Sequence, residues 1–256
     1  MIPFVVPPLS GLTVLVTRPA AQAATLCARI EMLGGTSIAF PAIEIEPVAA
    51  DAGGEYDLFV FVSANAVVHG AHLVTRGARS RIAAIGKATA AALAAAGLPA
   101  DIVPVAGADS ESLLDHPDIV SGSFSSVLIV RGVGGRELLQ TRFTARGAIV
   151  DTREVYRRAK PTVAAERITA IESLWSEEGI DVVTVTSVEN LRLLMELLTA
   201  KGNELLRRTP VLVASGRIGT ALEECGLRGG AILAHGADDD SMVGALARWN
   251  TRERVK

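Results

Sequence analysis

Short apolar runs alternate with longer amphipathic stretches along this chain. The runs "VLVT" from Val14, "LFVFV" from Leu58, "VLIV" from Val127, "VVTVT" from Val182 and "VLVA" from Val211 are rich in β-branched residues. They predict short parallel strands covered on both faces. After each comes a polar turn and then helical spacing, which often ends at a glycine, as at Gly34, Gly97, Gly147 and Gly226. Strands alternating with helices predict an α/β fold with right-handed crossovers.

Parts of the pattern occur twice. "VLVTRPAAQAATLCARIEMLGG" from Val14 aligns without a gap on "VLIVRGVGGRELLQTRFTARGA" from Val127, an offset of 113 that sets Arg18 on Arg131 and Gly34 on Gly147. "YDLFVFVSANAV" and "IDVVTVTSVENL" align at an offset of 124, setting Ser63 on Ser187. "IGKATAAALAAAGLPADIVPVAGADSES" and "ASGRIGTALEECGLRGGAILAHGADDDS" align at 129, setting Asp109 on Asp238. Three separate matches point to two related lobes.

The order of the copies gives the organisation. The middle copy is continuous, whereas the outer one has its arginine-bearing unit first and the rest after residue 180. One lobe is therefore inserted in the other. We expect an outer domain of 1–43 and 160–256 and an inserted domain of 44–159. The chain crosses between them in "TSIAFPAIEIEPVA" and "AIVDTREVYRRAKP", where the 113 offset carries Ile43 onto Tyr156. Both crossings alternate as half-exposed strands do, predicting two extended connections side by side, a two-stranded linker. Matching turns of the two lobes would then face one another across a cleft.

Composition adds exclusions. With 49% hydrophobic but only 4% aromatic residues, the cores are expected to be aliphatic. A net charge of −3 without a basic run offers no footprint for nucleic acid. Cys27 and Cys225 make neither a disulfide framework nor a zinc pattern, and are expected to be reduced and partly buried. "MIPFVVPPLSG" lacks a basic n-region, and no apolar run is long enough to span a bilayer, so a cytoplasmic protein is expected.

In open α/β sheets, ligands bind beyond the carboxyl ends of the strands, where helix N-termini present unpaired N–H groups. Those turns are "TRPAAQ", "VSANA", "IGKAT", "VRGVGGRE", "TSVEN" and "SGRIGT". Ser63 and Ser187 either cap helices or meet a ligand. Lys87, Thr89 and Arg217 are solvated turn residues or ligand contacts. Arg18 and Arg131 end strands at equivalent positions, where a guanidinium clamps a carboxylate or makes a structural ion pair. The glycines of "RGVGGRE" do not form a dinucleotide fingerprint, and "GKAT" lacks P-loop spacing. His69, His72, His116 and His235 show no metal-ligand spacing, with His69 and His72 on one helix face. "ADDDS" reads as a helix start with acidic caps. Chemistry alone stops at a two-lobed protein for an anionic organic molecule.

The ordered set "VLVTRP", "FP.I.I.P", "YD.FVFVSANAV", "AAIGKATAAAL" and "EVYRR" resembles the uroporphyrinogen-III synthase family over nearly the whole chain. That resemblance implies two flavodoxin-like domains, each a doubly wound parallel sheet, joined by a two-stranded ladder. It implies a cofactor-free lyase of tetrapyrrole biosynthesis, which closes linear hydroxymethylbilane with loss of water and inversion of the last pyrrole ring. The expected partner is the linear tetrapyrrole polycarboxylate, with transient contact with the preceding enzyme and no nucleic acid or membrane; a monomer is expected. Tyr156 matches the tyrosine suspected as general acid, whereas the residues alone read it as a half-exposed strand tyrosine. The substrate-binding candidates are Arg18, Ser63, Asn65, Lys87, Thr89, Arg131, Gly132, Ser187, Ser215 and Gly216; no metal is expected. Asn190 is left out because it stands three residues after its serine, whereas Asn65 stands two after. The rival reading is a non-catalytic two-lobed cytoplasmic binding protein for an anionic ligand.

Overall fold

The computed structural model describes residues 6–51, 54–177 and 179–253, so the first residues of "MIPFVVPPLSG" lie outside the described ones. Ten strands occur among these residues: β1 (Thr13–Val16), β2 (Thr36–Ala39), β3 (Glu44–Pro47), β4 (Leu58–Phe61), β5 (Arg81–Ala84), β6 (Ser126–Gly132), β7 (Ile149–Ala159), β8 (Val182–Val185), β9 (Val211–Val213) and β10 (Ala231–Leu233). The chain forms two compact α/β units, one comprising Met1–Glu44 and Ala159–Lys256, the other Ile45–Arg158.

Each unit is built on a five-stranded sheet, ordered β10-β9-β8-β1-β2 in the first and β3-β7-β6-β4-β5 in the second. All pairings in the first are parallel, as are β5-β4-β6-β7 in the second. The repeat is visible in this order. Strands β9-β8-β1-β2 correspond to β5-β4-β6-β7 at the offsets read from sequence. Ile102 makes a parallel bridge to Ala83 where the first unit has β10 beside β9, and the 129 offset carries Ile102 onto Ala231.

Alternation within the buried strands sends side chains to two cores. In the second unit Phe59 and Phe61 enter one core with Leu128 and Val130, while Leu58 and Val60 enter the other with Val127 and Ile129. In the first unit Val14 and Val16 point to one side and Leu15 to the other. Burial on both faces is why these runs are apolar throughout. Gly34 and Gly147 end equivalent helices with φ of 83° and 87°, a left-handed turn that a side chain would strain.

At the crossing, β3 and β7 are neighbours in one sheet. Val48 N–H donates to Val155 O at 2.9 Å, and Arg157 bonds Glu46 at 2.6 Å. The alternation read in "TREVYRR" breaks here. A bulge shifts the β6–β7 register between Arg131 and Gly132, and the consecutive Val155 and Tyr156 are both buried in the same core. No helix among the described residues is long and apolar enough to cross a membrane.

Candidate active site

The carboxyl ends of β4, β5 and β6 carry the densest group of candidates. Ser63 follows β4 and caps the helix Ala64–Gly70, its Oγ accepting from Ala66 N–H at 3.0 Å. The same Oγ lies 3.0 Å from the Tyr156 hydroxyl. Tyr156 is 2% exposed, so the half-exposed reading is corrected: the bulge turns its ring inward, onto the core. Arg158, exposed and two residues further along β7, donates from its guanidinium to the Tyr156 hydroxyl at 3.3 Å. Its Cζ stands 5.6 Å from the ring centroid, within cation–π range. The half-buried His69 ring, on the helix that Ser63 caps, lies 6.1 Å from the Tyr156 ring. Gly132 leaves room for this ring, because a Cβ there would stand 2.6 Å from Tyr156 Cζ.

The other candidates of this unit spread along the same edge. Asn65 is half-buried in the first turn after Ser63. Lys87 is exposed at the start of the helix Lys87–Ala95, whose N-cap Gly86 is extended and supplies no side chain. Thr89 is buried at 3% exposure, which corrects its reading as a solvated turn residue: it lies on the inner face of that helix.

Arg131 is tied to its own loop, donating to Gly135 O at 3.0 Å and Arg136 O at 3.3 Å and pairing with Glu154 at 3.2 Å. Arg18, its repeat equivalent, goes further. It is 3% exposed, pairs with Asp239 at 2.5 Å and bonds Ala237 O. The reading of Arg18 as a ligand clamp is corrected to a structural ion pair that fastens the loop before the helix Asp239–Glu253. In both arginines the Nε is buried without a partner, while the terminal nitrogens carry the contacts.

In the first unit Ser187 and Ser215 follow the adjacent strands β8 and β9, each at the N-cap of the next helix. Ser187 Oγ accepts from Asn190 N–H at 3.0 Å, the same cap that Ser63 makes. Ser215 is exposed and makes no side-chain cap, and Gly216 begins its helix with open space where a Cβ would stand. Arg217 is exposed beside them. Asn190 is buried at 1% exposure, its amide donating to Thr17 O at 3.0 Å and accepting from Thr17 Oγ1 at 2.9 Å. The network ties β1 to β8 just below the turns. Cys225 is exposed, correcting its expected partial burial, because it falls on the open side of the helix C-cap; Cys27 is half-buried.

Sequence reasoning passed over Arg158, and took His69 only for a helix face. The signal for Arg158 was its spacing: residues two apart on a strand share a face. The acidic cluster is a cap, with Asp238 Oδ1 accepting from Ser241 N–H at 2.8 Å, as Asp109 Oδ1 does from Ser112 N–H.

Comparison with known proteins gives one consistent result. The family described as uroporphyrinogen-III synthase HemD matches residues 24–244. The uroporphyrinogen-III synthase of Salmonella typhimurium is 34% identical over 250 residues, covering 92% of this chain and all of that protein. That of Escherichia coli is 33% identical with the same coverage. Among solved structures, the uroporphyrinogen-III synthetase of Helicobacter pylori superposes with a TM-score of 0.60 at 12% identity, covering 95% of this chain and all of its own. A mutant uroporphyrinogen III synthase of the extremely thermophilic bacterium Thermus thermophilus reaches 0.57 at 23% identity with the same coverage. At these identities the two structures speak for the fold.

Proposed function

The chain belongs to the uroporphyrinogen-III synthase family, and on that premise we propose that it works as a cyclising hydro-lyase, with Ser63 and Tyr156 at the reacting end of the substrate. The observation that carries the activity is full-length similarity to enzymes of that name. The observation that favours this end of the second unit is the hydroxyl pair at 3.0 Å beside a guanidinium.

The substrate, hydroxymethylbilane, is a flexible tetrapyrrole bearing eight carboxylates. Its terminal hydroxyl is a poor leaving group until protonated. Electron push from the adjacent pyrrole nitrogen expels it as water and leaves an azafulvene. Attack by the last ring at its substituted carbon gives a spiro intermediate, which fragments and closes with that ring inverted. The protein has to hold two ends together and to supply one proton. Turns rich in N–H groups and exposed cations suit carboxylates, and Lys87, Ser187, Ser215 and Gly216 are the candidates for that work. Arg131 reaches a ligand only by giving up loop contacts. We further propose that the substrate is the protein's principal partner, without nucleic acid.

Freshly prepared hydroxymethylbilane is the test. Its conversion should yield the type III isomer faster than spontaneous closure yields type I. If only type I accumulates, the chain is a binding protein and the catalytic reading is lost.

A further inference from the structure

The hydroxyls of Ser63 and Tyr156 sit in a short chain of hydrogen bonds. Among the described residues, the partners of the two hydroxyls are each other, Ala66 N–H on the Ser63 side and the Arg158 guanidinium on the Tyr156 side. A backbone N–H and a guanidinium are donors only. The chain thus reads donor, hydroxyl, hydroxyl, donor. It contains two hydroxyl protons and one internal position that accepts a proton from its neighbour. If Ser63 donates to Tyr156, the phenol proton is left over. If Tyr156 donates to Ser63, the serine proton is left over.

Resting on the proposed role of this site, we infer that Ser63 and Tyr156 form a donor dyad which always presents one proton to a ligand. Either residue acts as the donor, and Arg158 and the Ala66 N–H keep the pair from closing on itself. Arg158 is a positioning residue: it fills the lone pair that would otherwise accept from the substrate's hydroxyl. When the C–O bond of the substrate breaks, its electron pair leaves with the oxygen, and the exported proton completes the water. The pyrrole nitrogen supplies the electrons for the new double bond. The dyad recovers its proton when the free carbon of the inverted ring bonds and sheds hydrogen.

This arrangement makes a distinct prediction for double variants. Tyr156→Phe leaves Ser63 accepting from Ala66, with its proton free. Ser63→Ala leaves Tyr156 accepting from Arg158, with its proton free. Each single change should lower saturated turnover to the type III isomer by less than about tenfold, while the double variant should lose about a hundredfold or more. Ser63→Thr keeps the hydroxyl and the helix cap and should turn over within about threefold of the parent, since no donor is lost. Ser63→Asp keeps the cap and Tyr156 but offers an acceptor-only carboxylate, which draws the phenol proton inward. Its turnover should fall about as far as that of the double variant, at an unchanged melting temperature. A double variant no worse than Tyr156→Phe, or worse only by the product of the single effects, overturns the dyad. So does a folded Ser63→Asp protein with parental turnover. If all of these variants turn over like the parent, the site reading itself fails.

Discussion

The Tyr156 ring occupies the space that a side chain at Gly132 would need. A Cβ at residue 132 would stand 2.6 Å from Cζ and 2.8 and 3.0 Å from the flanking ring carbons Cε2 and Cε1. The two residues are paired across the β6–β7 ladder at the bulge that turns the ring inward. Gly132→Ala should therefore push the ring away and break the 3.0 Å contact of its hydroxyl with Ser63. We expect a stability loss of about 1–3 kcal/mol from overpacking. Turnover should fall by less than about tenfold, as in Tyr156→Phe, because Ser63 keeps a proton to donate. Melting curves and an isomer-resolved assay check both. Parental turnover in this variant would show that the ring position is unimportant.

The two repeat-related arginines should separate by burial. The Arg18 side chain is 4% exposed and its partner Asp239 23%, whereas Arg131 and Glu154 are 14% and 37% exposed. Arg18→Ala strands a carboxylate and a loop carbonyl, and should cost about 3 kcal/mol in urea unfolding. Arg131→Ala should cost about 1 kcal/mol, because solvent screens that pair. Equal losses would show that burial does not govern this pair of sites.

Much of the fold was legible because it is local and repeated. Ser63 and Ser187 cap their helices, Asp109 and Asp238 do the same, and Gly34 and Gly147 turn left-handed, each a property of a few neighbouring residues. The inserted order followed from where the copies fall. The site was legible only in part. Arg18 and Arg131 stand where a ligand clamp belongs, yet their partners are loop carbonyls and carboxylates up to 221 residues away in sequence. The burial of Tyr156 depends on a one-residue bulge, which reverses facing without leaving a composition signal.

Asn190 and Asn65 illustrate the same division and can be compared directly. Asn190 is buried and bonds Thr17 through both amide atoms, so Asn190→Ala removes both bonds and takes the Oδ1 acceptor from Thr186 N–H, while Thr17 keeps Thr184 O and Ala42 N–H as partners. It should cost about 2 kcal/mol. Asn65 is half-buried on a first helical turn, and Asn65→Ala should change stability by less than about 0.5 kcal/mol. Any larger effect of Asn65→Ala should appear in KM for the bilane. A stable Asn190→Ala protein would mean that ordered water replaces the amide.

Tyr56 gives the protein a specific weakness in alkali. Its hydroxyl donates to Asp151 Oδ2 at 2.5 Å, and the residue is 8% exposed. Burial, then the hydrogen bond to Asp151 and the negative charge of that carboxylate, raise the Tyr56 pKa above its ordinary value near 10. The folded state thus holds this proton more tightly than the unfolded state does. Below the ordinary pKa both states are protonated, and the contribution to stability is complete. As pH rises past about 10, the unfolded chain sheds its proton first, and stability falls until the folded pKa is reached. Tyr56→Phe removes the donor and the titration together, so its stability should be flatter with pH above about 10 than that of the parent. Its own cost arises because Asp151 loses a buried donor, and should be about 1–2 kcal/mol at neutral pH. The chain has two tyrosines, so Tyr156→Phe leaves Tyr56 as the single phenol. Absorbance titration of that variant in the phenolate band should show the folded protein ionising above the ordinary value near 10, with the transition moving down when Asp151→Asn removes the charge. Ionisation at the ordinary value, with Asp151 intact, would mean that the Tyr56–Asp151 bond does not persist in solution.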